Sequence, residues 1–390
     1  MYFSEEHRLF RESLRDFLQK EVVPNIEDWE ASGQIDRSIW KKLGDMGYLG
    51  LTISEEYGGL QLDLFYTVVL LEELQKINSG GFAAAVWAHA YLAMTYLRKH
   101  GDDTQNRAYL EPSVFGEKIG CLGVTEPFGG SDVAGMRTTA VKKDNVYIIN
   151  GSKTFITNGV YGDYVVLAAK TNPKAGNKGI SMFIVDLDSK GVSRNKLNKL
   201  GWRASDTAEL AFDNVEVPED NLLGEEAMGF NYIMEAFALE RLIMGVNAHA
   251  RAEYALDYAL QYMSERKTFG KSIDQYQALR HRFVDLHSDM ELCKNFNYHV
   301  VRRMDKGEYV VREATISKLK STKMADEVIY DCLQFLGGYG YIEDYPMARM
   351  LRDSRLGPIG GGTSEILKEI IAKIVIDKKE YRTVKKQAVT

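Results

Sequence analysis

Apolar residues recur at helical spacing from the start of this chain. Phe3, Phe10, Leu14, Phe17 and Leu18 share one helical face before Pro24, and Ser4 ahead of Glu5-Glu6 is a capping signal. Similar stretches over 36–47, 62–77, 82–100 and 104–115 predict further helices, punctuated by Gly58-Gly59, Gly80-Gly81 and Gly101. The period changes near Cys121. Val141 to Ile149 alternates about Asp144-Asn145, and Asn150-Gly151 follows as another hairpin signal. Short strands are predicted at 164–170, 180–185, 208–212 and 215–217, with no helix between 121 and 224. From Gly229 the pattern is helical again. Leu279, Phe283, Leu286, Met290, Cys293, Asn297, Val300 and Met304 alternate by four and three, a period of about 3.5 residues that marks bundle packing. The segments 229–265, 309–336 and 364–378 would supply the other long helices. The chain therefore reads as α+β: an N-terminal helical domain over 1–120, a small β domain over 121–228, and a C-terminal four-helix bundle over 229–390.

Composition narrows the function without choosing it. With 390 residues, 45% hydrophobic and 27% charged, the chain is globular and large enough to bury a ligand. A net charge of −6 argues against a broad nucleic-acid surface. No apolar run reaches the roughly 18 residues of a membrane span. The start of the chain has no basic n-region and no Arg-rich presequence, which points to a bacterial cytoplasm, although a mature mitochondrial matrix protein would look the same. Three dispersed cysteines and seven histidines without helical pair spacing fit neither a disulfide scaffold nor a metal site. No Gly-x-Gly-x-x-Gly opens a helix after a strand, so a Rossmann site has no support. Lys142-Lys143 and Lys378-Lys379 read as solvated surface, and Lys385-Lys386 as part of a frayed tail.

Three segments carry candidate chemistry. Val124-Thr125-Glu126-Pro127-Phe128-Gly129-Gly130-Ser131-Asp132 is either an ordinary polar turn or a loop holding a cofactor through amides and hydroxyls. Gly360-Gly361-Gly362-Thr363-Ser364 opens the last helix, either as a cap or as a close backbone approach to a ligand. Glu240-Arg241 lies within a long helix whose Phe230, Met234, Phe237, Met244 and Ala248 form one apolar face. Arg241 falls roughly 20° from Phe230 and Glu240 roughly 80° to its other side, so both border the apolar stripe. That pattern suits a buried ion pair, or a carboxylate kept basic by an apolar pocket.

Taken in order, these segments resemble the acyl-CoA dehydrogenase family, the flavoenzymes of fatty-acid and branched-chain acyl-CoA oxidation. The likeness runs from about Glu5 to Asp377. It rests on Val124 to Asp132, Asn150-Gly151-Ser152-Lys153-Thr154-Phe155-Ile156-Thr157-Asn158-Gly159, Arg266-Lys267-Thr268-Phe269-Gly270, Gln334-Phe335-Leu336-Gly337-Gly338-Tyr339-Gly340-Tyr341, and Gly362-Thr363-Ser364-Glu365-Ile366. The resemblance implies a helical domain, a central β-barrel and a four-helix bundle. It implies FAD lined by Leu122, Val124, Thr125, Gly130 and Ser131, with Phe155, Ile156 and Thr157 flanking the isoalloxazine and Thr363 and Glu365 beside it. Arg266, Thr268, Phe269, Gln277, Gln334, Phe335, Gly337 and Gly338 match the groups a neighbouring subunit gives to FAD, so a homotetramer built as a dimer of dimers is implied.

The catalytic position departs from the commoner pattern. Many members carry Glu just before the Gly-Thr pair, where this chain has Gly361. A smaller group, similar to isovaleryl-CoA and long-chain acyl-CoA dehydrogenases, places Glu on the long helix before an Arg, as in Glu240-Arg241. By this resemblance Glu240 is the α-proton base and Arg241 its positioning neighbour. Ser131, Gly361 and Gly362 meet substrate, and the Gly361 N–H binds the thioester oxygen. The implied reaction is oxidation of a saturated acyl-CoA to a trans-2-enoyl-CoA, with β-hydride passing to flavin N5 and electrons leaving to an electron-transfer flavoprotein. Tyr330-Asp331-Cys332-Leu333-Gln334 points to medium-to-long straight chains. The competing readings are an oxidase or other flavoenzyme on the same fold, and a catalytically silent acyl-CoA-binding scaffold.

Overall fold

The computed structural model describes residues 2–379, so the tail containing Lys385-Lys386 lies outside the described residues. The N-terminal region is helical: α1 (Glu5–Phe17), α2 (Ile26–Ser32), α3 (Arg37–Asp45), α4 (Leu64–Lys76), α5 (Gly80–Trp87), α6 (Met94–His100) and the short α7 (Asp103–Gln105) and α8 (Glu111–Val114). Ser4 caps α1 reciprocally with His7, as the local sequence suggests. Helix α4 is apolar nearly all round because it is buried on both sides, by α1 and by the C-terminal helices.

The expected continuous helices over 82–100 and 104–115 are instead interrupted by π turns at Ala88–Ala93 and Asn106–Leu110. His89, in the first of these, shows what the interruption accommodates. Its Nδ1 accepts the Gly120 N–H at 3.0 Å and its Nε2 meets the Ser113 carbonyl at 3.1 Å. Burial pushes the imidazole down to about 4, so it is neutral at physiological pH.

Strands β1 (Gly120–Gly123), β2 (Thr139–Lys143), β3 (Val146–Thr157), β4 (Tyr164–Lys170), β5 (Ile180–Asp186), β6 (Val192–Lys196), β7 (Thr207–Pro218) and β8 (Leu222–Leu223) form one sheet. Its order is β6-β7-β3-β2-β4-β5-β8, with β1 added beside β4. This is an open sheet with β6 and β8 at its ends, so the expected closed barrel is corrected. Two largely antiparallel halves meet through the single β2–β4 pair Thr139–Lys170. Ile149, Leu210 and Val215 of one half and Val165, Leu167 and Phe183 of the other share one core, which the fold of the sheet encloses. Asp144-Asn145 makes the predicted turn between β2 and β3. Asn150-Gly151 makes none: it lies inside β3, where the register against β7 shifts and Gly151 takes φ +148°. The two predicted strands at 208–212 and 215–217 are the single strand β7.

The C-terminal region contains α9 (Gly229–Glu265), α10 (Gln277–Asp305), α11 (Val311–Leu336), α12 (Pro346–Ser354) and α13 (Ser364–Val375). Along α10, the heptad positions Leu286, Met290, Asn297 and Val300 are buried as the alternating spacing predicts. Helix α12, which the sequence pattern did not separate, carries Asp353. The Asp353 carboxylate accepts the Gly80 N–H of the N-terminal region at 2.9 Å and the Trp202 N–H of the middle region at 2.6 Å. Removing it leaves two buried amides unsatisfied, each costing about 1–3 kcal/mol. Asp353→Ala should therefore lower unfolding free energy by about 2–5 kcal/mol in denaturant titration. A loss below about 1 kcal/mol would mean the junction does not depend on this side chain.

Candidate active site

The loop after β1 and the far end of β3 are held together from beneath. Lys153 is fully buried; its Nζ donates to the Val124 carbonyl at 3.1 Å and to Glu126 Oε1 at 2.9 Å. Glu126 also accepts the Arg137 and Thr138 N–H groups at 2.6 and 2.9 Å. Burial pushes the Lys153 ammonium down to about 8, while Glu126 lies below its usual value because the Lys153 charge and its hydrogen bonds outweigh its own burial. Both are charged at neutral pH. Above them the Thr154 N–H donates to the Thr125 carbonyl at 2.9 Å. Between Lys153 and Ile156, β3 bulges, so that Thr154-Phe155 faces one residue of β7. The bulge places Phe155 at φ +61° and turns its ring outward, 70% exposed.

Leu122 and Val124 pack into the same cluster as Met234 and Phe237 of α9. One turn on is Glu240. The residue is half-buried, and burial raises its carboxyl above the usual carboxylate value, with Arg241 and then Lys318 pulling it back down. Arg241 is buried, lies over the Phe237 ring at 5.5 Å, and donates to Thr315 Oγ1 at 3.3 Å. Tyr96 of α6 is also buried close to this carboxylate, and burial together with the charges of Glu240 and Glu235 holds its phenol well above the usual range.

The turn between α12 and α13 faces Glu240. Gly361 and Gly362 have φ +61° and +95°, a region that side chains disfavour. A Cβ at 361 would overlap Met244 Sδ and sit 3.3 Å from Glu240 Oε1. The two positions that the sequence sets against each other therefore share one space, and a side chain at 361 would compete with the carboxylate at 240. Thr363 caps α13, its Oγ1 accepting the Ile366 N–H at 3.4 Å, while Glu365 is exposed in the first turn.

The remaining predicted positions lie elsewhere. Arg266, Phe269, Gln277, Gln334, Gly337 and Gly338 are exposed together at the far end of the C-terminal helices, with Thr268 half-buried among them. From Glu240 to Arg266 along α9 is about 39 Å at 1.5 Å per residue. One protomer thus carries two half-sets that do not meet within it. The side chains of Phe335 and Ile156 pack in the bundle core and the sheet core respectively.

Lys318 was missed. It lies on α11 with no exposed surface and donates to the Gly362 carbonyl at 2.6 Å. Its signal is readable afterwards: Ala314, Lys318, Ser321 and Ala325 share the buried small-residue face of α11.

The donor set suits FAD. An outward aromatic ring on a bulge, the hydroxyls of Thr125 and Thr157, and the open Gly129-Gly130 backbone offer a flat ring its edge partners. At the far end, Arg266 offers a phosphate fork beside Gly337 and Gly338, where a Cβ would meet nothing within 4 Å.

This combination of helical, sheet and helical regions around a carboxylate and a glycine turn is that of a flavin-dependent dehydrogenase. The chain belongs to the acyl-CoA dehydrogenase family: its N-terminal domain matches residues 4–117, its middle domain 121–215 and its C-terminal domain 227–376. It is 38% identical to the long-chain specific acyl-CoA dehydrogenase, mitochondrial, of Sus scrofa over 97% of this chain and 88% of that one. It is 37% identical to the isovaleryl-CoA dehydrogenase, mitochondrial, of Oryza sativa subsp. japonica over 96% and 92%. A solved acyl-CoA dehydrogenase from Geobacillus kaustophilus superposes with a TM-score of 0.93 at 41% identity, covering 95% of this chain and 98% of that one. The protein is accordingly an FAD-dependent acyl-CoA-oxidising enzyme.

Gly361→Ala should slow anaerobic flavin reduction by acyl-CoA at least about tenfold with FAD content unchanged, because the new methyl group needs an unfavourable φ and overlaps Met244 Sδ beside the carboxylate. A wild-type rate in that variant would show that the turn tolerates a side chain beside Glu240.

Proposed function

We propose that Glu240 is the base that removes the α-proton of a saturated acyl-CoA, giving a trans-2-enoyl-CoA. The observation that carries this is the Glu240 carboxylate, 3.3 Å from the space a side chain at 361 would fill. FAD, when bound, supplies the hydride acceptor for the β-carbon. Glu240 takes the α-proton onto its carboxylate, which burial makes more basic than an ordinary one. The Gly361 N–H donates to the thioester oxygen as enolate charge develops, and Arg241 positions Glu240 from the adjacent place on α9. Apolar neighbours Phe237 and Met244 keep water from the proton in transit. The chemistry favours this over the silent scaffold, which has no need of a basic carboxylate in a cleft, and an oxidase would use the same base.

The substrate we propose first is a medium-to-long straight chain. A second reading, a short or branched acyl group, is favoured by one feature. Met244, next to the Gly361 turn, also lines a narrow cavity of about 40 Å³ whose walls include Gln75, Asn247 and Arg251 beside Trp87 and Trp202. A long chain has to displace Met244 or take another course. The assembly we propose is a homotetramer, a dimer of dimers, since the two half-sets of FAD contacts lie about 39 Å apart in one protomer. The domain division proposed is 1–120, 121–228 and 229–390, the electron acceptor an electron-transfer flavoprotein, and the setting a bacterial cytoplasm or, as for the curated relatives, mitochondria. No helix among the described residues is long and apolar enough to cross a membrane.

Anaerobic flavin bleaching by acyl-CoAs from butyryl to stearoyl, with isovaleryl-CoA, tests the reaction and names the chain. Glu240→Gln should lose several orders of magnitude in reduction rate and still hold FAD. An unimpaired Glu240→Gln would refute the base, and a wild type bleached by no acyl-CoA would refute the dehydrogenation. The pH dependence has a definite sign. The deprotonated carboxylate is the active form and its pKa is raised, so the rate should fall as pH drops, with a midpoint above the usual carboxylate value of 4.5.

A further inference from the structure

We propose that Lys318 is a positioning residue of this reaction: from α11 it clamps the Gly361-Gly362 turn through the Gly362 carbonyl and balances the charge of Glu240 across the cleft. The inference rests on the reading of Glu240 as base and goes beyond it, to a fully buried residue on another helix that acts through the Gly361-Gly362 turn.

Three observations carry it. The Lys318 ammonium is fully buried and donates to the Gly362 carbonyl at 2.6 Å. A buried ammonium is costly unless it meets an acceptor and an opposite charge. The carbonyl is one partner, and the charge acting most strongly on Lys318 is that of Glu240, ahead of Arg241 and Glu365. Second, the clamped turn has two successive glycines at positive φ, with no side chains of their own to fix it. Its other ties lie outside the pair, in the Gly360 N–H to Leu356 and the Ser364 N–H to Pro358 bonds of 2.9 and 3.0 Å. The bond at the 362 carbonyl holds the 362–363 peptide on one side of the turn, as the Gly360 N–H bond to Leu356 holds the other, so the Gly361 N–H lies between two fixed points. Third, the charged and titratable groups acting on or acted on by Glu240 come from several elements: Arg241 on α9, Tyr96 on α6, which Glu235 also affects, and Lys318 on α11, with Glu365 of α13 acting on Lys318. Of these, Lys318 alone both acts on the carboxylate and bonds to the turn that faces it.

Burial pushes Lys318 down to about 8, so it remains charged at neutral pH and offsets part of the cost of a buried Glu240 carboxylate. The Lys318 charge thereby favours the ionised form of Glu240 from a second helix. Removing the ammonium has two separable effects. Glu240 becomes harder to ionise, and the turn loses its clamp.

The test uses the FAD-loaded protein and three variants. Lys318→Met removes charge and donor, Lys318→Gln keeps a donor for the carbonyl, and Lys318→Arg keeps the charge. The first readout is the ionisation of the Glu240 carboxyl, followed by infrared difference titration and isolated by subtracting the Glu240→Gln spectrum. We expect the midpoint to rise by about one pH unit, tenfold in proton affinity, in Lys318→Met and Lys318→Gln and to return toward wild type in Lys318→Arg. The second readout is the pH profile of flavin reduction by acyl-CoA. Its acid limb should move up with the carboxyl midpoint, and its high-pH plateau should fall at least about tenfold in Lys318→Met but less in Lys318→Gln. An unmoved carboxyl midpoint in Lys318→Gln overturns the inference, whatever the activity. If Lys318→Met does not hold its fold, Lys318→Gln decides alone. A fully active Glu240→Gln removes the base instead, and the titration separates that failure from this one.

Discussion

The Asp353 carboxylate is the point where three regions of the chain are joined. It sits on α12 and accepts backbone N–H groups from Gly80 and Trp202, which belong to the N-terminal helices and to the segment between β6 and β7. A Cβ at Gly80 would lie 2.6 Å from an Arg251 guanidinium nitrogen and 2.7 Å from Asp353 Oδ2, so the backbone enters where a side chain has no room. Around this contact, Glu30 accepts from Ser79 and the Ala204 N–H, and Arg349 pairs with Glu27 at 2.6 Å. Glu27 is exposed and the others are buried or half-buried, and such a junction holds because donors and acceptors from different regions satisfy one another. The site draws on two of these regions: Phe155 and Thr125 come from the sheet and the loop after β1, Glu240 from α9 and Gly361 from the turn after α12, so the separation of the first pair from the second depends on how the regions pack.

Two buried lysines repeat one device with different results. Lys153 supports the loop after β1, and Lys318 supports the glycine turn. Burial lowers both ammonium groups to about 8. Their carboxylate neighbours then diverge. Glu126 takes hydrogen bonds from Lys153 and two backbone amides, and these hold it below its usual value. For Glu240, burial outweighs the charges of Arg241 and Lys318, and its value rises. Hydrogen bonding to the charged form makes the first carboxylate a structural anchor, whereas burial outweighs the neighbouring charges at the second and makes it more basic than an ordinary carboxylate.

Much of the fold was legible because it is periodic. The alternating four-and-three spacing on α10, the Ser4 cap and the Asp144-Asn145 turn all depend on neighbours a few residues apart. Where local signals failed, a distant partner had intervened. Asn150-Gly151 has turn chemistry, yet β7 pairs on both sides of it and makes it a bulge. The helix expected through 82–100 takes a π turn where His89 must reach Gly120 and Ser113. The sheet stays open because closure depends on whether β6 and β8 meet, and neither strand's own residues settle that.

The candidate site divides the same way. Residue identity and motif order were enough for the family, for FAD, and for the complementary pair of Glu240 and Gly361, since each is carried by short segments with fixed spacing. Tertiary structure decided that those two positions share one space, that the Arg266 to Gly338 groups lie a helix-length away, and that Met244 also lines a narrow cavity with polar walls. It also decided the part played by Lys318, whose neighbours in sequence give no hint of Gly362 or Glu240. The physical reason is that a lysine's burial, and the charge that offsets it, are set by helices packed against it from distant parts of the chain, and no local spacing encodes that encounter.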